Sequence, residues 1–286
     1  MNIEIAICLT LVASIILNVA IVLLKISVGE LAGRRGHHIF MMLLTQTKNG
    51  WIGLTLLLVG YAIFLLAASA HAAPISVLRP LFTFGLVVVA VLAVVVLKER
   101  LSPLEWLGMG ILLVGTILLS TSASSGSAPI LHLYRLLLFL AGSAVVCMLI
   151  LGCSLVLKVQ HAEFAFGTIV GLLFGSGYLA TKTVFLAWQE NRSMLAALAF
   201  LAMGAGMLGG LAVLLWSFRR GRALIIRGVN FVVNQVMVVL GGAYCLGESF
   251  PEEPLLLLAR FAGFAAIVLG ALLLLAAGRK SPVGAA

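Results

Sequence analysis

The chain has 286 residues, of which 63% are hydrophobic and 9% charged, with a formal net charge of +9. A mean hydropathy of +1.24 excludes a water-soluble domain, because that much apolar surface could not stay exposed without aggregating. The basic excess lies mostly in short links between apolar runs, where membrane topology uses it, so no nucleic-acid partner is expected.

Nine apolar runs follow in chain order, each about as long as a bilayer crossing requires, roughly twenty residues. The first, Ile5 to Leu24, follows no basic segment and reads as a retained anchor, not a signal peptide. A polar stretch with Lys25, Glu30, Arg34, Arg35, His37, His38 and Lys48 leads to helices expected near 51–70, 75–97 and 103–120. Within 36–50, Ile39 to Leu44 is apolar but too short to cross, so a re-entrant segment or a tenth crossing stays open there. The Ser-rich stretch Ser120 to Ser127 has the composition of a connector, and further helices are expected near 131–157, 164–188, 193–218, 223–247 and 254–278. The expected fold is an all-α transmembrane bundle of nine or ten helices. It divides into an N-terminal half (1–120), a linker (121–130) and a C-terminal half (131–286).

Basic residues separate by side. Lys25, Arg34, Arg35, Lys48, Lys98, Arg100, Lys158, Arg219, Arg220, Arg222, Arg279 and Lys280 share one side, whereas the opposite links hold Arg192, with Arg79 and Arg135 just inside helix starts. By the positive-inside rule the N-terminus is outside and the C-terminus cytoplasmic, in a bacterial inner (plasma) membrane. The third and eighth runs end alike, Leu97-Lys98-Glu99 and Leu246-Gly247-Glu248, and Pro103 and Pro251 follow. Since these runs point in opposite directions, the halves are expected to be inverted repeats.

The segments Trp51 to Leu54, Ala72 to Leu81, Val96 to Leu101 and Gly108 to Gly115 resemble the drug/metabolite transporter superfamily, within it the EamA-like and especially the NIPA-type, magnesium transporter-like proteins. The resemblance covers residues 10–120, and 131–278 in layout and in the Leu-Gly-Glu end of the eighth run. It implies two inverted halves around a central pathway with alternating access. NIPA-type proteins favour a small polar residue where this chain has Arg79.

The chain has no aspartate, so the usual ligand of hard divalent cations and a usual member of intramembrane proton relays is absent. Charges inside spans are costly, about 2.5 to 3.5 kcal/mol at a helix centre, and Arg79, Lys182, Arg227 and Arg260 need a reason. Snorkelling to the interface is the simpler reading for Lys182 and Arg260. Arg79 and Arg227 precede the two Leu-x-Glu ends by similar distances, which sets one near the outer mouth of a pathway and one near the inner mouth. In the eighth run Arg227, Asn230 and Asn234 form one stripe with Gln235 beside it, lining a cavity or bonding neighbouring helices. Ser14, Asn18 and Lys25 form a weaker stripe, for which packing is the expected role. Gly171, Gly175, Tyr178 and Lys182 share a face of the sixth run. The glycines permit close helix approach, and Tyr178 is either an interfacial aromatic or part of a hydrogen-bonding rim with Lys182. Glu99 and Glu248 suit turns or salt links better than proton coupling. His71, His132 and His161 are expected on solvated links, and Cys8, Cys147, Cys153 and Cys245 in packing.

No HExxH, GxSxG or P-loop motif occurs, and the links are too short for a catalytic domain, so no enzyme, metal centre or cofactor is expected. The expected function is secondary transport of a small polar, anion-bearing solute through a cavity between helices 3 and 8 and their neighbours, with Arg79, Arg227, Asn230, Asn234, Gln235, Lys182 and Tyr178 as candidate contacts. Divalent cation (magnesium) transport is the alternative. A lipid-linked substrate flippase or a non-transporting membrane subunit is a third. Small-residue faces leave a homodimer open.

Overall fold

The computed structural model describes residues 3–31, 47–68, 81, 84–96, 101–122, 131–156, 162–218, 223–247 and 251–280. Among these, the chain forms nine α-helices: α1 (Ile3–Glu30), α2 (Lys48–Ala68), α3 (Phe84–Val95), α4 (Pro103–Thr121), α5 (Leu133–Val156), α6 (Ala162–Gln189), α7 (Ser193–Ser217), α8 (Ala223–Cys245) and α9 (Pro254–Lys280). Seven of the helices are long and apolar enough to cross a membrane, and α4 adds a shorter apolar stretch, Pro103–Leu119. The protein is an integral membrane protein.

Helix ends show the local chemistry. α1 runs beyond its expected end at Leu24 to Glu30, since Val28 and Leu31 keep a buried face going and Ser27 Oγ bonds back to Leu23 O at 3.1 Å. Lys25 and Glu30 therefore belong to a helix and not to the link. Asn49 Nδ2 donates to Glu30 Oε1 at 2.8 Å, and Thr47 caps α2 by accepting from Gly50 N at 3.2 Å. α4 opens with a capping box: Ser102 N donates to Glu105 Oε2 at 2.7 Å, Glu105 N donates to Ser102 Oγ at 3.3 Å, and Pro103 takes the first helical position. α6 ends at Asn191, whose φ of 55° is left-handed, while Arg192 N donates to Ala187 O at 2.9 Å. Gly247, with φ of 62°, ends α8. The segment 32–46, residues 69–80 at the expected start of helix 3, Glu99, Glu248, and most of the 121–130 linker lie outside the described residues.

Helix α1 packs along α2, α4 along α9, and α6 along both α7 and α8. The spans of α6 and α8 are 67% and 72% buried, against 11% for α5, so α6 and α8 form the centre and α5 an outer wall. The two central helices are also the least hydropathic of the seven spans, which puts polar side chains where protein shields them from lipid. The α4–α9 contact is a reciprocal glycine seam. A Cβ on Gly115 would lie 2.7 Å from Gly263 O, and one on Gly270 would lie 2.6 Å from Gly108 O. Without side chains at these points the backbones come into direct contact, the usual way apolar helices gain packing energy inside a membrane. Cys245 is buried, as expected of a packing residue, whereas Cys8 and Cys153 have exposed side chains that a bilayer would cover.

Candidate functional site

Helix α8 carries Arg227, Asn230 and Asn234 on one face, and all three are buried (6%, 2% and 3% exposed). On α6, Gly171 and Gly175 face α8 so closely that a Cβ on them would lie 2.6 and 2.7 Å from the Cβ atoms of Val233 and Met237. The expected close approach at these glycines is present, and it presses the polar face of α8 into the middle of the bundle. Asn230 Oδ1 and Asn234 Oδ1 are buried there without a hydrogen-bond partner. Buried carboxamide oxygens left unbonded cost about 1 to 3 kcal/mol each, so two of them one turn apart need an account beyond packing.

Arg227 is held by a residue 209 positions away. Its Nη2 donates to Asn18 Oδ1 at 2.8 Å, while Asn18 Nδ2 donates to Ser14 O at 2.7 Å and so fixes the carboxamide's orientation. The guanidinium also lies over the Phe231 ring, 4.8 Å from its centroid. A charge-assisted hydrogen bond and a ring face are both stronger away from water, and together they hold the cation in place. Gly85 of α3 packs against the other side of Asn18, where any Cβ would overlap the carboxamide. Another polar contact links α2 to α6: the Tyr61 hydroxyl and Thr181 Oγ1 share a hydrogen bond of 3.1 Å. Nearby, Phe64 and Tyr178 meet edge to face at 5.3 Å.

These side chains surround a cavity of about 230 Å³. Its walls come from α1 (Leu17, Asn18, Ile21), α2 (Leu57, Leu58, Tyr61), α6 (Phe174, Tyr178), α7 (Met203, Gly204, Met207, Leu208, Leu211) and α8 (Arg227, Asn230, Phe231, Asn234). Most of this wall is apolar; among the described residues one lining side chain is cationic and none is acidic. Of the two helices expected to flank the cavity with their neighbours, α8 lines it, and among the described residues α3 does not. The described part of α3 packs behind α1 at Gly85, so α1, not α3, faces α8 across the space.

Of the expected contacts, Arg227, Asn230, Asn234 and Tyr178 line this one space. Tyr178 is buried against Phe64, which replaces the reading of it as an interfacial aromatic. Gln235 is buried with Nε2 unpartnered but is absent from the wall, because one step along a helix turns the side chain by about 100° from Asn234. Lys182 is likewise outside the wall. Both Lys182 and Arg260 are buried, at 4% and 3% exposure, which corrects the expectation that they snorkel outwards. Arg79 falls outside the described residues, as do His71 and His161. Two polar wall residues, Asn18 and Tyr61, are not among the expected contacts. Asn18 was assigned to packing, although Ser14 and Asn18 one turn apart in an apolar helix were a signal; Tyr61, in an otherwise apolar run, gave none. Among the described residues no three His, Cys or Glu gather to hold a metal ion.

The sequence has measurable relatives. It is 26% identical over 290 aligned residues to a probable magnesium transporter, NIPA9, of Arabidopsis thaliana, covering 96% of this chain and 83% of that protein. Shorter matches reach the probable 4-amino-4-deoxy-L-arabinose-phosphoundecaprenol flippase subunit ArnE. The Klebsiella pneumoniae protein is 29% identical over 90 residues (32% of this chain, 72% of that one), and the Salmonella paratyphi C protein 28% over 91 (32% and 74%). No family model matches, and no solved structure does. The resemblance to the drug/metabolite transporter superfamily and its NIPA-type members holds, because both kinds of relative are EamA-like proteins of that superfamily. Their names are those of a transporter and of flippase subunits, not of enzymes.

Proposed function

From this homology to membrane transporters, we propose that the protein is a secondary carrier moving a small polar, anion-bearing solute by alternating access. The observation that carries the reading is the shared cavity, with Arg227 as a cation in its wall, no acidic side chain among the described residues that line it, and the amides of Asn18, Asn230 and Asn234 around it. A guanidinium in a low-dielectric space attracts an oxyanion and repels a doubly charged cation, and its planar fork suits carboxylate or phosphate. The unpartnered oxygens of Asn230 and Asn234 would accept from hydroxyl or amino groups on the same solute.

The halves 1–120 and 131–286, joined by the 121–130 linker, act in this reading as inverted repeats. Supporting it, the last helix of each half carries glycines seven residues apart, Gly108 and Gly115 against Gly263 and Gly270, and these meet antiparallel. The contacts Asn18 to Arg227 and Tyr61 to Thr181 cross between halves and would break or re-form as one half rocks on the other. The distribution of basic residues supports an outside N-terminus and a cytoplasmic C-terminus in a bacterial inner membrane. Arg79 is assigned to the opposite mouth.

Uptake into proteoliposomes, screened with phosphorylated, carboxylated, neutral and divalent-metal solutes, tests the reading. An anionic solute should be taken up, and Arg227→Ala should lower its uptake at least tenfold; uptake equal to wild type would end the assignment of Arg227. Divalent cation transport is the second reading, favoured by the name of the plant relative and by the two unpartnered amide oxygens. Magnesium usually takes one or two carboxylates, and the cavity wall offers a guanidinium instead. Magnesium uptake in the same vesicles, unaffected by Arg227→Ala, would establish that reading over the first.

A further inference from the structure

The helix faces that line the cavity continue beyond it. On α1 the wall residues are Leu17, Asn18 and Ile21. Ser14 lies one turn before Asn18 and Thr10 seven residues before Leu17, so both share that face. On α6 the wall residues are Phe174 and Tyr178, and Thr181 and Lys182 follow seven and eight residues after Phe174 on the same face. All four added side chains are polar and buried: Thr10, Ser14 and Thr181 are 0% exposed and Lys182 is 4% exposed.

Both extensions lead the same way. In the other direction Leu24, Val28 and Leu31 of α1 cluster with Val170 in the first third of α6, with Leu214 and Phe218 at the end of α7 and with Ile226 at the start of α8. The Ile3 end of α1 and the Gln189 end of α6 therefore lie together on the far side of the cavity. A cation inside a span is costly unless it faces the bundle interior or a watery path, and Lys182 lies on the side of α6 that faces the cavity. The hydroxyls are satisfied within their own helices: Thr10 Oγ1 donates to Ala6 O at 2.7 Å and Thr181 Oγ1 to Gly177 O at 2.9 Å. Groups bonded in this way need nothing from a neighbour, so the helices around them can part without orphaning them. Across this extension lies α2. Its Tyr61 hydroxyl bonds Thr181 Oγ1 at 3.1 Å, and its fully buried Phe64 meets Tyr178 edge to face at 5.3 Å. One hydrogen bond and one ring contact make a light closure.

We propose that Thr10 and Ser14 of α1 with Thr181 and Lys182 of α6 line the second leg of the path, from the cavity to the Ile3 and Gln189 helix ends. Tyr61 and Phe64 are its lid, resting on Thr181 and Tyr178, and Lys182 makes the leg selective for anions. The proposal rests on the carrier reading and adds to it the half of the path that is closed in this structure.

Thiol reactivity of the full chain in reconstituted vesicles tests it. The probes are two membrane-impermeant methanethiosulfonates, the anionic 2-sulfonatoethyl and the cationic 2-(trimethylammonio)ethyl reagents, and peptide mass spectrometry reads each position apart from the native cysteines. Glu190→Cys, exposed just past α6, marks the side to which the leg opens, and Leu240→Cys, facing lipid, sets the background. From that side Thr10→Cys should react about tenfold faster than Leu240→Cys, because the thiolate is the nucleophile and forms only where water reaches the thiol. Tyr61→Phe should raise the Thr10→Cys rate about threefold, the shift that one interhelical hydrogen bond gives to an opening equilibrium. Ser102→Ala, which loosens α4 instead, should leave that rate unchanged. Relative to Glu190→Cys, the anionic probe should be favoured at Thr10→Cys by about threefold; Lys182→Gln should remove the preference and Lys182→Arg keep it. A Thr10→Cys rate no higher than that of Leu240→Cys, or one raised as much by Ser102→Ala as by Tyr61→Phe, overturns the leg and its lid. A charge preference indifferent to Lys182→Gln overturns the role of Lys182. If Thr10→Cys does not fold, Ser14→Cys takes its place with the same expectations. Arg227-dependent uptake of an anionic solute in the same vesicles decides the carrier reading separately: with uptake present and the thiols unreactive the leg fails alone, and with no solute taken up the carrier reading fails and the leg with it.

Discussion

Replacing Asn18 by leucine removes the acceptor for Arg227 while keeping the side chain's size. The bond is 2.8 Å long, buried, and made to a charged group, so its loss should cost about 1.5 to 3 kcal/mol. Hydrogen bonds between transmembrane helices average only about 0.6 kcal/mol, because the unfolded chain in the membrane also finds partners. The two figures separate clearly. The other bond lost, from Asn18 Nδ2 to Ser14 O, is made to a carbonyl within the same helix and adds little. A double-mutant cycle between Asn18→Leu and Arg227→Met, with unfolding followed by steric trapping in bicelles, isolates the pair. The expected coupling is about 1.5 to 3 kcal/mol, corresponding to about 10- to 150-fold in the unfolding equilibrium. A coupling at or below about 0.6 kcal/mol would show that the Asn18–Arg227 contact is an ordinary interhelical bond and that it does not hold the guanidinium in place.

Other substitutions test the packing around this contact. Gly85→Ala should destabilise the protein and weaken any Arg227-dependent binding, because a Cβ there displaces the Asn18 carboxamide; combined with Asn18→Ala, which clears the space, it should cost less than the sum of the two changes. Gly115→Ala should cost about 1 to 3 kcal/mol by thermal denaturation in detergent, since its Cβ would press on the Gly263 carbonyl, whereas Gly110→Ala, with nothing within 4 Å, should be neutral or gain up to about 1 kcal/mol. Ser102→Ala removes one arm of the α4 capping box and should lower stability by about 1 kcal/mol in the same assay, and an unchanged melting temperature would contradict the cap. Tyr61→Phe should cost only about 0.6 kcal/mol, since its hydroxyl bonds a threonine that already donates to Gly177 O at 2.9 Å.

What the sequence determined by itself is the set of properties that depend on neighbours along the chain. An apolar run of some twenty residues is committed to a membrane-spanning helix by its own backbone, which must satisfy every hydrogen bond internally wherever water is absent. For that reason the nine expected spans correspond to the nine described helices, with differences only at ends such as Glu30, where a few polar residues continue an apolar face. The stripe of Arg227, Asn230 and Asn234 and the glycine face of α6 were legible for the same reason, being fixed by helical periodicity alone. Which residue answers that stripe is decided by how the helices assemble. Asn18 and Arg227 are 209 positions apart, and no local pattern distinguishes an asparagine that packs from one that holds a guanidinium. Tertiary packing likewise set α1 across the cavity from α8 and turned Gln235 and Lys182 out of its described wall. In a bilayer, where one apolar surface is as good as another, these choices come from close fit at glycines and a few polar bonds, and those exist only once the helices meet.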